Sequence, residues 1–212
     1  MIKKYKHVIW DWNGTLLNDT ALSVNIINGL LISHKLAPLT IEDYRVIFNF
    51  PVKDYYEKAG FNFSLNSFEV IGKQWMDEYE RRKGETNLFD GAKDVLGFIK
   101  SSGIDQSILS AYSYHTLIEM VNYYQLGEYF KYITGLDHIY ATSKLDIGKD
   151  LIVKLDGQKE DIVLIGDTIH DYDVASGLGI KCILIANGHQ NRERLLACNV
   201  PVLNDIREII EI

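Results

Sequence analysis

Apolar residues gather in six short runs, at positions 7–11, 106–110, 132–135, 162–166, 181–186 and 201–203, and each run carries Val or Ile. Runs of this length and type predict buried strands. Between them the period changes. Ala92, Val95, Leu96 and Ile99 recur at helical spacing, with Gly103 as the stop. Ser113 can cap a helix bearing Leu117, Met120, Val121 and Tyr124, and a third helix carries Leu151, Ile152 and Leu155 before Gly157. Strands alternating with amphipathic helices predict an α/β fold, a Rossmann-like doubly wound parallel sheet covered on both faces.

Positions 18–86 break the alternation, with no convincing strand. Positions 20–35 read as a helix. Thr40 with Asp43 resembles a capping pair for another. Pro51 forces a break, and a short helix then runs to Ala59 with Gly60 as its stop. Phe68, Ile71, Trp75, Met76 and Tyr79 form an apolar stripe ended by Gly84, and its aromatic residues are assigned to the core of a bundle. The pattern therefore predicts two domains. Positions 1–17 and 87–212 form the α/β core, and 18–86 form a small inserted α-helical cap domain. Ligands in such sheets bind outside the carboxyl ends of the strands. An insertion that leaves from that edge and returns to it covers the ligand.

Composition narrows the function more than the fold. A net charge of -7 argues against nucleic acid and anionic membranes as partners. It leaves room for a locally positive phosphate pocket. Cys182 and Cys198 have no metal-like spacing and are expected to be reduced and buried. The apolar run after Lys3, Lys4 and Lys6 is too short for a signal peptide, and Asp11 interrupts it. No stretch approaches the length of a membrane span. The expectation is a cytoplasmic monomer or homodimer.

The chemistry lies at the predicted strand ends. Asp11 ends the first strand and opens Asp11-Trp12-Asn13-Gly14-Thr15-Leu16. Ser110 and Ala111 follow the second. Lys144 opens a helix, and Gly166-Asp167-Thr168-Ile169-His170-Asp171 follows the most apolar strand. An aspartate carboxylate can attack phosphorus, while a hydroxyl and an ammonium neutralise the phosphoryl oxygens. Asp11 and a phosphate repel unless a cation lies between them, and Asp167 and Asp171 can help hold Mg²⁺, which prefers oxygen ligands. Main-chain amides of the Asn13-Gly14 turn can form an anion nest. Lys149 is a rival to Lys144. His170 reads as a helix-start residue or as a further acid-base group.

These segments resemble, in order, the four motifs of the haloacid dehalogenase-like superfamily. The helical insertion after the first motif resembles the C1 cap of its phosphoglycolate phosphatase-like branch. The resemblance implies a Mg²⁺-dependent phosphatase acting on a small phosphorylated metabolite. By position it makes Asp11 the nucleophile and a metal ligand, with the Asn13 main-chain carbonyl and Asp167 as further ligands. Asp171 would bind through water or orient the ligands. Ser110 and Lys144 would hold the phosphate, beside the main chain of Asn13, Gly14 and Ala111.

One position departs from the family. Where it normally has an aspartate that protonates the leaving group and then activates water, this chain has Asn13. Losing such a group costs about 10²–10⁴-fold in rate. Restoring the carboxylate by Asn13→Asp is then expected to raise turnover. The alternative is a phosphometabolite-binding or regulatory protein on the same scaffold, which would bind with Mg²⁺ and not turn over. Dehalogenation fits poorly, because halide displacement needs no Mg²⁺, and mutases depend on the missing aspartate.

Overall fold

A computed structural model describes residues 2–64, 67–136, 143–155 and 157–211. In chain order the elements are β1 (His7–Trp10), β2 (Leu17–Asn18), α1 (Thr20–Ser33), α2 (Ile41–Ile47), α3 (Val52–Lys58), α4 (Phe68–Arg82), β3 (Asn87–Leu88), α5 (Ala92–Ser101) and β4 (Asp105–Ser113). Then come α6 (Tyr114–Tyr123), β5 (Tyr132–Leu136), α7 (Lys144–Lys154), β6 (Ile162–Gly166), α8 (Ile169–Leu178), β7 (Lys181–Ile185), α9 (Arg192–Leu196), β8 (Val202–Leu203) and α10 (Glu208–Glu211).

Six strands form one parallel sheet in the order β5-β4-β1-β6-β7-β8. The chain runs outward from β1 to β4 and β5, then returns to lay β6 on the other flank of β1. This reversal puts the crevice of a doubly wound sheet beside the carboxyl end of β1. Side chains alternate across the sheet because the strand period is two. Val163 and Ile165 pack with Val95, Leu96 and Leu117 from α5 and α6 on one face. Leu164 between them packs with Leu151, Val174 and Leu178 from α7 and α8 on the other. Each such fully buried side chain contributes about 1.5–3 kcal/mol relative to exposure. No helix among the described residues is long and apolar enough to cross a membrane.

The sheet also buries polar groups, and these are paired. Trp10 donates its indole N–H to Gln106 at 2.9 Å, and Gln106 donates to the Leu96 carbonyl at 3.0 Å. His7 meets the Ser107 hydroxyl at 2.9 Å. Burial pushes the His7 imidazole down to about 4. The folded protein thus refuses a proton that the unfolded chain accepts near pH 6.5. The sign follows: this stability is full above pH 6.5 and is lost as pH falls toward 4. The loss between pH 7 and 5 is on the order of 2 kcal/mol. Urea unfolding at both pH values checks it, and His7→Gln is expected to flatten the dependence.

Helices α1 to α4 lie between β2 and β3 and share a separate apolar core. Val24, Ile27 and Leu31 of α1 meet Tyr44, Tyr55, Tyr56 and Ile71 there. Thr40 and Asp43 form the reciprocal capping box expected at α2. Serine occupies the N-cap of α6 as expected, but Ser113 makes no side-chain cap bond.

Two features depart from the expected pattern. β4 runs on to Ser113, because Ser113 still pairs with Leu136 beyond a register shift after Leu109. And β2 pairs antiparallel with β3, Leu17 opposite Leu88 and Asn18 opposite Asn87, where no strand was expected. Two-residue strands are too short to show a period.

Candidate active site

Asp11 follows β1 directly, and its N–H donates to the Ile165 carbonyl at 2.9 Å, continuing the β1–β6 ladder. The ladder therefore fixes where its carboxylate stands. One oxygen receives the Lys144 ammonium at 2.5 Å, and the other receives the Thr15 hydroxyl at 3.0 Å. Lys144 is the first residue of α7 and also donates to Asp171 at 2.6 Å. Both ion pairs are buried. Lys149 is exposed and pairs with Asp146 at 3.1 Å. The structure thus separates the two candidate lysines, and Lys144 is the one beside Asp11.

Asp171 is the third residue of α8 and completes a capping box with Thr168. One of its oxygens accepts from the Thr168 hydroxyl at 2.6 Å and from the N–H groups of Thr168 and Asp167 at 3.0 and 3.2 Å. That oxygen is saturated, and Lys144 occupies the other. Asp167 is less committed. It accepts from the His189 N–H at 2.6 Å and, more weakly, from Thr15 at 3.3 Å.

Asp11, Asp167 and Asp171 each bring a carboxylate oxygen within 4.8 Å of the others, and all three are buried. Lys144 pairs with two of the three, and the His189 ring acts on the third, Asp167. Burial and the Asp171 charge push the Asp11 carboxyl up to about 6 against the pull of Lys144. Burial, with Asp11 and Asp171 nearby, pushes Asp167 up to about 8. Burial also works against the Lys144 charge, but Asp11 and Asp171 outweigh it and hold the ammonium above its usual range. A buried acid that resists ionisation beside two others marks a charge deficit that a cation can fill. The chemistry of this oxygen donor set suits a hard divalent ion.

The remaining expected residues are spread around this cluster. Ser110 is buried, and its hydroxyl oxygen accepts the Tyr112 N–H at 3.0 Å. Register places it near Asp11, since Trp10 pairs with Ile108. Ala111 is exposed. Gly14 has φ +74 and sends its N–H to the Leu17 carbonyl and to Asp19, both at 2.9 Å. The Asn13 side chain donates to Asp19 at 2.9 Å and to the Tyr79 hydroxyl at 2.8 Å. His170 stacks against Phe50 with ring centroids 4.6 Å apart. Cys182 is buried, and burial pushes its thiol well up, as inert packing requires.

Several residues at the site were not among the expected ones. Asp19, His189 and Thr15 are buried beside it, and Tyr44 and Tyr79 reach it from α2 and α4. Tyr79 is thus more than bundle core. His189 belongs to the loop after β7, and position alone could have flagged it, since that loop is another carboxyl strand end. The loop is clamped from above: Arg45 on α2 donates to the carbonyls of Gly188 and Asn187 at 2.9 and 2.8 Å. Gly188 has to be glycine, because a side chain there would overlap Asp167 and the Gly14 carbonyl.

Comparison with known proteins places the chain among relatives of one family. A family model described as "Haloacid dehalogenase-like hydrolase" matches residues 8–185. Phosphoglycolate phosphatase 1 of Pseudomonas aeruginosa is 22% identical over 214 residues, covering 96% of this chain and 78% of that protein. Tyrosine-protein kinase PtkA of Mycobacterium tuberculosis is 23% identical over 207 residues, covering 97% of this chain and 70% of that one. Among solved structures, a haloacid dehalogenase-like hydrolase from Streptococcus pneumoniae matches with a TM-score of 0.83 at 18% identity, covering 98% of both chains.

Proposed function

The chain belongs to the haloacid dehalogenase-like hydrolase family, in its phosphoglycolate phosphatase-like branch, and from that premise we propose that it is a Mg²⁺-dependent phosphatase that hydrolyses a small phosphorylated metabolite through a phosphorylated Asp11. The observation that carries this reading is the buried contact between Asp11 and Lys144, a nucleophilic carboxylate held against a fixed ammonium. Asp11 attacks phosphorus, the bond to the leaving oxygen breaks, and water then cleaves the acyl phosphate to free phosphate and restore Asp11. Lys144 offsets charge on the phosphoryl oxygens, and Ser110 supplies a hydroxyl at the neighbouring strand end.

Asp11, Asp167 and the Asn13 main-chain carbonyl would hold Mg²⁺, with Asp171 orienting them because its own oxygens are taken. The ion would offset the negative charge shared by nucleophile and phosphate. Helices α1 to α4 would serve as a cap over this edge of the sheet. Asn13 cannot give a proton to an alkoxide, so acyl or aryl phosphates are favoured over alkyl ones. Phosphate release from a panel of phosphorylated metabolites, with Mg²⁺ and with chelator, tests the reading. Release from none of them would overturn it.

Asn13 also supports a second reading, ligand binding without turnover. Mg²⁺-dependent binding of a phosphometabolite with no phosphate release on long incubation would favour it. The metal is checked separately by Asp167→Asn. At saturating Mg²⁺ the wild type gains about 3 kcal/mol, or roughly 5–10 °C in Tm. The variant is expected to gain nothing from Mg²⁺. In chelator it is expected to melt no lower than the wild type, because the Asp167 charge is unfavourable there.

A further inference from the structure

Asp19 occupies the N-cap of α1, yet its side chain makes no cap bond to that helix. An N-cap aspartate ordinarily accepts from the first turn of its own helix. Here both oxygens turn away. One accepts from the Gly14 N–H at 2.9 Å and meets His189 Nε2 at 3.1 Å. The other accepts from Asn13 at 2.9 Å and from the Tyr79 hydroxyl at 2.6 Å. The other ring nitrogen of His189 meets the Tyr44 hydroxyl at 2.9 Å. The Asp11 turn, the loop after β7 and helices α2 and α4 thus converge, directly or through one ring, on a carboxylate that is 2% exposed.

We propose that Asp19 is the positioning residue of this site: its carboxylate fastens the helical insertion to the turn that follows Asp11, and its presence is what requires an amide at position 13. The donor count supports this. Tyr79 has one proton, and it goes to Asp19. Asn13 has two, and they go to Asp19 and to the Tyr79 oxygen. A carboxylate at 13 has no proton to give either partner. It would instead set a half-buried carboxylate about 3 Å from the buried Asp19 carboxylate, with no donor between them. Asn13 is then the complement of Asp19, and the gain expected from Asn13→Asp becomes conditional on position 19. The kinetic arm of this inference rests on the phosphatase reading, and the geometric arm does not.

Four proteins test it: the wild type, Asn13→Asp, Asp19→Asn, and the double variant that swaps the two side chains. Amide hydrogen exchange in α4 and the Asp11 turn reports the fastening, and para-nitrophenyl phosphate with Mg²⁺ reports kcat and KM. Each single variant is expected to lose protection and about 10–100-fold in kcat, with KM little changed. The swap is expected to regain protection, and kcat at or above the wild-type value, because one amide and one carboxylate again face each other. Wild-type protection in Asn13→Asp, or a swap no better than the two losses combined, would overturn the proposal. If the wild type releases phosphate neither from this ester nor from the metabolite panel, the phosphatase reading fails and exchange alone decides. Tyr79→Phe removes one donor and no charge, so it guards against a folding failure. It is expected to speed exchange in α4 by about tenfold, and unchanged exchange counts against the proposal.

Discussion

Asp11→Asn is expected to remove phosphatase turnover by about 10⁴-fold or more, the size of effect seen when a nucleophile is deleted. An amide cannot form the acyl phosphate, and Asp171 beside it is not free to take over. Asp171 already accepts from three donors on one oxygen and from Lys144 on the other. The change is nearly isosteric, and the Asp11 carboxyl is already raised to about 6 by burial. The variant is therefore expected to fold, with a Tm within a few degrees of the wild type. Phosphate release and a melting curve on one sample separate the two effects. A variant retaining a tenth of wild-type turnover would sink the assignment of Asp11 as nucleophile.

Lys144→Met is expected to damage both stability and rate. It removes the ammonium that lies between Asp11 and Asp171 at 2.5 and 2.6 Å and leaves both carboxylates buried without it. Breaking a buried pair in this way costs about 3–5 kcal/mol, or roughly 10 °C in Tm for a chain of this size. If Lys144 holds the phosphoryl oxygens as proposed, the lost charge is expected to cost a further factor of about 10²–10³ in kcat. Lys149→Met is the control. Lys149 is exposed and pairs with Asp146, so its removal is expected to cost under about 1 kcal/mol and leave kcat alone. Equal effects from the two lysines would mean that α7 acts through its overall charge and not through one placed ammonium.

The strands were legible as short Val- and Ile-bearing runs, β6 being apolar on both faces as a covered parallel sheet demands, and Asp11, Ser110 and Asp167 were legible because they stand at or near strand ends. Asp11 and Asp167 needed only the order of the elements, while Lys144 needed the structure to separate it from Lys149. Asp19, His189 and Tyr79 did not announce themselves in the same way. Tyr79 sits on the apolar stripe of α4, and periodicity reports that it is buried without reporting that its hydroxyl reaches Asp19. His189 is a lone histidine in a glycine loop, and Asp19 reads as an ordinary helix cap. Their roles arise from contacts across 60 to 170 positions of chain, and a local pattern carries no information at that range. The β2–β3 pair was hidden for a different reason, since two residues cannot show an alternation.

That small pair has a consequence of its own. Leu17 and Asn18 lie opposite Leu88 and Asn87, so the chain departs and comes back one strand spacing apart, about 5 Å. Whatever is spliced between these two rungs is held at a fixed joint, anchored on the core of the parallel sheet through Leu17 and Leu88. The closing cost of the intervening loop grows only slowly with its length, by about 0.6 kcal/mol per doubling. A longer, shorter or differently wound segment can therefore be grafted there while β1, β4 and β6 keep their registers. The registers of the sheet and the winding of the insertion are in this sense inherited separately, provided that Asp19 and Tyr79 are kept to tie the insertion to the Asp11 turn.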